Sequence, residues 1–312
     1  NFMAAKIVNP SFPEVNHDLR FLYSHYPAAY DVDRTPGANP IRQPLTNLNE
    51  AGSLYGAIIY QKAPIVMRQL ELLLGADEFR DGLRDYLKRY AMANATWPDL
   101  IQILDARTPA NLVAWSRAWV EERGRPRVRV DVTRAAAGGV DVTLQGDDPM
   151  ARQLTWPQAL HVILGDGARA VSVDVTLGEG GRASFSHTSS DLSAGVRWVL
   201  PTGGGLGYGD FVLPAEMLDA LATDLPVIAD PLTRGAAMVT LWESMLEGRA
   251  SPARLREALM AALPLEKDEL NITRQMGLLQ SLFWRFSSAD ERATASAPLE
   301  ALLKSGLARA TT

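Results

Sequence analysis

Residues 58–75 read IIYQKAPIVMRQLELLLG, and this stretch is the best starting point for the fold. Its apolar residues recur at helical spacing, and Gly75 stands where a helix would end. Pro64 is tolerated in the first turn, because amides there have no partner inside the helix. The stretch therefore predicts a helix that ends at Gly75, with Tyr60 at its start. By itself Tyr60 would be taken for a packed aromatic residue.

Helical patterns continue up to about residue 123. Apolar residues recur at helical spacing over 79–90, and residues 96–99 have the composition of a capping box with proline in the first turn. A further helix is expected at about 112–122. On the N-terminal side, residues 9–47 contain six prolines and are expected to form one long loop.

The remaining sequence changes pattern twice. From about residue 125 to 213, apolar and polar residues alternate in short runs separated by glycine-rich turns, which predicts a small antiparallel β-sandwich. Helical apolar faces return at about 214 and still continue near the end of the sequence. The expected fold class is α+β multidomain, with a helical domain at 1–123, a sandwich at 124–213 and an incomplete α-helical, solenoid-like domain at 214–312.

Composition excludes several classes of protein. The 312 residues carry a net charge of -5, and nucleic-acid binding would need a dense basic surface. No run approaches the roughly 18 apolar residues of a membrane span. The sequence has no cysteine, so it has neither disulfides nor thiolate metal sites. A soluble globular protein is expected, in the cytoplasm or exported to the periplasm.

The common catalytic motifs are absent from the sequence. None of the four histidines belongs to an H-E-x-x-H pair. His161 and His187 lie in strand-like runs, where structural roles are expected, and His17 and His25 are too far apart to share a helical turn. The glycine-rich residues 203–209 lack the G-x-G-x-x-G spacing of a phosphate-binding loop, and no G-x-S-x-G elbow occurs.

The segment around Tyr60 and Lys62 resembles the aminopeptidase N family of gluzincin zinc metallopeptidases. In that family a Tyr-x-Lys-Gly-Ala segment opens a helix shortly after the zinc site, and Leu-Gly, Phe-x-x-Gly-Leu and Asn-Ala-Thr segments follow. This sequence departs from the pattern in having Ala63-Pro64 after the lysine. The matching later segments are residues 74–75, 79–83 and 94–96.

The resemblance implies the helical C-terminal part of a thermolysin-like domain, then the sandwich, then the first helices of a larger helical domain. The family's H-E-x-x-H motif and its glutamate ligand are not in the sequence. Residues 1–6 resemble the helix that follows that glutamate. The chain is therefore expected to be a portion cut just after the zinc ligands. Zinc is expected in the complete protein and not in this chain alone, which is expected to be inactive.

The resemblance also assigns one catalytic residue and one class of partner. In the family a zinc-polarised water attacks the carbonyl of a peptide substrate, and the resulting oxyanion needs a hydrogen-bond donor besides the metal. A neutral tyrosine hydroxyl can donate such a bond. Tyr60 matches the family's tyrosine and is expected to stabilise the oxyanion.

The sequence is also compatible with functions other than catalysis. The chain could be a non-catalytic binding or scaffold module derived from the same family, in which Tyr60 is only structural. A carbohydrate-binding sandwich is a weaker third hypothesis, because it would need an exposed aromatic platform and the sandwich contains only Trp156 and Trp198, with no visible pairing. Apolar faces at the two ends of the chain would favour self-association.

Overall fold

The computed structural model describes residues 2–135, 139–167, 169–188, 192 and 195–309. Helices come first, strands occupy the middle and helices return, so the mixed α+β prediction is confirmed. Asn1, the first residue of the resemblance, lies outside the described residues. The division into domains at 123/124 and 213/214 stays a prediction. Among the described residues, none of the helices is long and apolar enough to cross a bilayer.

The N-terminal helices agree with the periodicity of the sequence over most of their length. Gly75 ends one of them with φ 87°, a conformation that favours glycine. The predicted capping box is confirmed, since Asp99 accepts hydrogen bonds from the amide and the hydroxyl of Thr96 at 2.8 and 2.6 Å. The α-helices are α1 (Phe2–Val8), α2 (His17–Asp33), α3 (Ala51–Leu54), α4 (Ala63–Leu74), α5 (Ala76–Arg89), α6 (Trp97–Asp105) and α7 (Leu112–Ser116), and π-helical turns lie at Ile58–Lys62, before α4, and at Arg117–Glu121, after α7.

The predicted long loop at 9–47 is wrong over 17–33, where α2 lies. Asn16 caps α2 by accepting the amide of Leu19 at 3.0 Å. Pro27 lies inside this helix and removes one backbone hydrogen bond. Burial of one helical face offsets that loss. The buried face consists of Leu19, Leu22, Tyr26, Ala29, Tyr30 and Asp33.

The strands that follow are β1 (Arg127–Arg134), β2 (Val140–Asp147), β3 (Gln158–Gly165), β4 (Ala170–Leu177), β5 (Arg182–His187), β6 (Trp198–Leu200) and β7 (Asp210–Val212). They form two sheets, with strand orders β5-β2-β1-β7 and β4-β3-β6. The β1–β2, β2–β5, β3–β4 and β3–β6 pairs are antiparallel, as predicted. The β1–β7 pair is parallel, which corrects the expectation of a purely antiparallel arrangement. Alternation in a sequence shows that a strand exists but not its direction.

Tryptophans attach the helices to the sheets. The indole nitrogens of Trp115 and Trp119 both donate to the carbonyl of Pro157, at 3.2 and 3.1 Å. The indole of Trp156 donates in the opposite direction, to the carbonyl of Ala118 at 3.0 Å. Trp156 and Trp198 are both buried. Neither can therefore stack on a sugar, which removes the support for a carbohydrate platform.

The C-terminal helices are α8 (Ala215–Asp224), α9 (Pro231–Leu246), α10 (Pro252–Ala262), α11 (Glu269–Arg285) and α12 (Ala289–Arg309). They pack side by side, and α9 also packs against α2. Apolar side chains of α8, α9, α10 and α11 join the same hydrophobic core as the sheets. The helical pattern predicted for this part is confirmed.

Glu266 is a buried carboxylate that should make stability depend on pH. It accepts hydrogen bonds from Arg234 at 2.7 Å and from the amides of Lys267 and Asp268 at 2.9 and 3.0 Å. Burial would raise the pKa of Glu266, but these hydrogen bonds, chiefly from Arg234, outweigh it and hold the pKa below its ordinary value of 4.5. The unfolded state therefore takes up the proton first, so this contribution is complete above pH 4.5 and is lost as pH falls through the folded-state pKa.

We expect Glu266→Gln to lower the free energy of unfolding at pH 7 by about 2 kcal/mol. The difference from wild type should be smaller at about pH 3.5. Urea unfolding at the two pH values measures both differences. Glu300→Gln is the matched control, because Glu300 pairs with Lys304 on an exposed face of α12. A difference that does not change with pH would contradict the assignment.

Candidate functional site

Residues Ile58–Lys62 form a single π-helical turn at the start of α4, called the π-turn below. The amide of Ala63 donates to the carbonyl of Ile58, which closes the wider turn. π-Helices are rare, and most are single turns inserted in α-helices, frequently at functional sites. The sequence predicted a helix start here, but helical periodicity does not distinguish a π-turn from an α-turn.

Tyr60 lies in the middle of the π-turn with 43% of its surface exposed. Its amide donates to the carbonyl of Gly56 at 3.1 Å, and its ring centre lies 5.8 Å from that of Tyr55, which is also exposed. The interpretation of Tyr60 as a packed core aromatic is therefore wrong. Its ring lies at the protein surface, where a hydroxyl could meet a substrate.

Lys62 lies on the opposite side of the π-turn and is completely buried. Its ammonium nitrogen is 2.7 Å from Asp33 Oδ2 and donates to the carbonyl of Gly124 at 2.7 Å. It also lies 5.5 Å from the ring centre of Tyr208, whose hydroxyl donates to the same Asp33 oxygen at 2.9 Å. Burial lowers the pKa of Lys62, and the attraction of Asp33 opposes this shift.

A second buried ion-pair group adjoins the first. Arg125, next to Gly124 in the chain, donates to Glu243 at 2.9 Å and to Glu247 at 3.1 Å. Its guanidinium also lies over the ring of Tyr30, 4.6 Å from the centre. The rings of Tyr30 and Tyr208 stack at 4.7 Å. The two groups together join α2, the π-turn, α9 and the end of the strand region.

The motif in the sequence predicts a role for Tyr60 but not the buried contacts of Lys62. The sequence places Lys62 only within that motif, and it places Asp33 in the predicted loop at 9–47. The sequence does contain a signal for the burial of Lys62. This residue comes directly before a strongly apolar helix, on the face of that helix that carries the apolar side chains. Asp33 follows Leu19, Leu22, Tyr26 and Tyr30 at helical spacing, so a correct assignment of α2 would have placed it on the buried face.

The described part of the chain contains no group of three side chains suited to a metal ion. His161 pairs across neighbouring strands with Asp174, at 2.6 Å between Nδ1 and Oδ1, in agreement with a structural role. The ring of His25 packs on that of Phe21, with centres 4.4 Å apart. Within the part of the chain that the structure describes, the side chains therefore do not form a set that fits a zinc ion.

Comparison with known proteins finds similarity to one class of peptidase. Residues 1–119 match the model of the Peptidase family M1 domain. A puromycin-sensitive aminopeptidase of Caenorhabditis elegans is 26% identical over 277 residues, which cover 86% of this chain and 28% of that protein. Aminopeptidase N of Streptomyces lividans is 32% identical over 107 residues, or 33% of this chain and 12% of that protein.

A solved structure supports the fold over a longer range. Legionella pneumophila aminopeptidase A, in complex with aspartic acid, matches 96% of this chain and 36% of its own with a TM-score of 0.53 and 13% identity. The chain is thus related to the aminopeptidases of peptidase family M1, and the resemblance to the aminopeptidase N family is confirmed. It spans 28% of the length of the Caenorhabditis elegans relative and 12% of the Streptomyces one.

Proposed function

We propose that this chain is part of a zinc-dependent aminopeptidase that removes N-terminal residues from peptides. The proposal is carried by the exposed position of Tyr60 on a π-turn within the segment that matches the M1 domain. Zinc would be held by polypeptide outside residues 1–312, because the sequence lacks H-E-x-x-H and the described residues form no group suited to the metal.

The contribution of this chain to the reaction is a hydrogen bond. When a peptide carbonyl is attacked, its oxygen gains negative charge, and a preorganised donor stabilises that charge more than it stabilises the ground state. The hydroxyl of Tyr60 would be that donor. A π-turn suits this role, since the wider turn sets the direction of one side chain relative to the helix that follows.

We expect residues 1–312 alone to hydrolyse no aminoacyl p-nitroanilide and to bind no stoichiometric zinc. The gene product that includes the polypeptide preceding Asn1 is expected to do both, and to lose activity when a chelator removes the metal. Turnover assays and metal analysis of the two proteins test the proposal. Zinc-dependent hydrolysis by residues 1–312 would show that the metal ligands have been assigned to the wrong part.

A binding or scaffold module derived from the same family is the alternative. The gene distinguishes the two functions: an in-frame H-E-x-x-H upstream supports the enzyme, whereas a natural start near Asn1 supports the module. In a module, loss of the Tyr60 hydroxyl would change no reaction rate. The exposure of the ring would then serve a partner and not a substrate.

A further inference from the structure

We propose that Lys62 is a positioning residue for Tyr60, because its buried ammonium fastens the π-turn to three separate segments of the chain. This inference rests on the proposed role of Tyr60. Lys62 itself would touch neither substrate nor reacting atoms. It would act by fixing the direction in which the Tyr60 ring leaves the backbone.

The two side chains share one turn and face opposite ways. Tyr60 is 43% exposed and Lys62 is 0% exposed, although only Gln61 separates them. Ile58, at the start of the same π-turn, is also buried. The turn is therefore held from its inner side at both ends, and Tyr60 lies between the two anchors.

The contacts of Lys62 leave little freedom of position. A buried ammonium is tolerated only where charge and hydrogen-bond partners compensate its lost hydration. Asp33 supplies the charge from α2, Gly124 supplies a carbonyl oxygen from the segment before β1, and the Tyr208 ring closes a third side. Moving the π-turn would separate the ammonium from partners on three segments at once.

These contacts oppose relaxation of the π-turn to an ordinary α-helical turn. An α-turn contains one residue fewer per hydrogen-bonded ring than a π-turn, so relaxation to an α-helix would shift the register by one residue. Such a shift rotates side chains by about 100° around the helix axis. It would withdraw Lys62 from Asp33 and would point Tyr60 in a new direction. The buried ion pair therefore favours the π-turn over its α-helical alternative.

The orientation of Tyr60 can be tested in the 312-residue chain without any activity. Labelling with 3-fluorotyrosine gives fluorine signals from the eight tyrosines, and Tyr60→Phe identifies the signal of Tyr60. Lys62→Met is expected to move or broaden that signal and to speed hydrogen exchange of the amides at 60–63 by about tenfold or more. Unchanged signal and exchange in a folded Lys62→Met protein would overturn the proposal.

The matched control breaks another buried ion pair far along the chain. Arg234→Met removes the partner of Glu266 in the C-terminal helices and should destabilise the protein without changing the Tyr60 signal. If Arg234→Met changed the Tyr60 signal as much as Lys62→Met does, Lys62 would only contribute to overall stability, and the proposal would be overturned. If Lys62→Met does not fold, Asp33→Asn replaces it, since this variant loses the charge but keeps a hydrogen-bond acceptor.

Activity of the complete gene product separates this inference from the function on which it rests. Lys62→Met is expected to lower kcat by about 10- to 100-fold with little change in KM, because a misdirected donor costs transition-state stabilisation. Normal kcat in Lys62→Met alongside an inactive Tyr60→Phe would overturn the positioning role alone. Normal kcat in Tyr60→Phe would overturn the proposed catalytic role of Tyr60, absence of any hydrolysis in the wild-type complete protein would overturn the proposed function, and in either case the fluorine spectra would still decide whether Lys62 orders the π-turn.

Discussion

Tyr60→Phe is expected to lower kcat by about 100-fold or more in the complete protein while KM changes little. The substitution keeps the ring, so its packing against Tyr55 is preserved and only the hydroxyl is lost. That hydroxyl is assigned to charge that develops in the transition state, which is why the effect should fall on kcat. Steady-state kinetics with an aminoacyl p-nitroanilide measures it.

Tyr86→Phe is the control, since it removes a hydroxyl from α5, where the Tyr86 ring packs against Tyr90. Its kcat is expected to match wild type. Metal content should be equal in the three proteins, so that a loss of zinc cannot explain a loss of rate. Wild-type turnover by Tyr60→Phe would remove this residue from the chemistry.

Trp119→Ala is expected to lower the free energy of unfolding by about 3–5 kcal/mol. The Trp119 side chain is 0% exposed. Its ring centre lies 6.3 Å from that of Trp115 and 6.4 Å from that of Tyr208, and its indole nitrogen donates to the carbonyl of Pro157. Truncation leaves a cavity where the helices meet the sheets and removes one of two indole donors from that carbonyl. Urea unfolding followed by far-UV circular dichroism gives the value.

A tryptophan-to-alanine substitution at an exposed site shows how much of the expected loss of stability comes from burial. Trp284 on α11 is 66% exposed, and Trp284→Ala is expected to change stability by no more than about 0.5 kcal/mol. Comparable losses in the two variants would mean that burial at the helix–sheet contact does not set the cost.

Much of the fold could be predicted from the sequence, because local signals coincide with the observed boundaries. Gly75 ends α4 through its positive φ, and Thr96 with Asp99 caps α6. The prediction failed where a local signal opposed a tertiary one. Prolines indicated a loop around Pro27, but burial of one face of α2 decided the structure. The direction of β7 depends on how the chain crosses between sheets, which no short pattern records.

The candidate site could be predicted only in part. The assignment of Tyr60 comes from a motif and stays a prediction, and the Tyr60 ring is exposed. Lys62, Asp33 and Gly124 come together from positions as much as 91 residues apart in the chain, counting from 33 to 124. Contacts of that range depend on the packing of α2 and the π-turn, and neither was visible in the sequence. Contacts between distant parts of the chain are therefore harder to predict from the sequence than a residue that lies in a short motif.

Gly124 and Arg125 also limit where this chain could be recombined with its relatives. These neighbouring residues are bound by different partners, Gly124 by Lys62 and Arg125 by Glu243 with Glu247. Gly124 adopts φ 88°, which restricts what could replace it. A chimera that joins the helices of one relative to the sheets of another at this junction would need compatible residues on both sides.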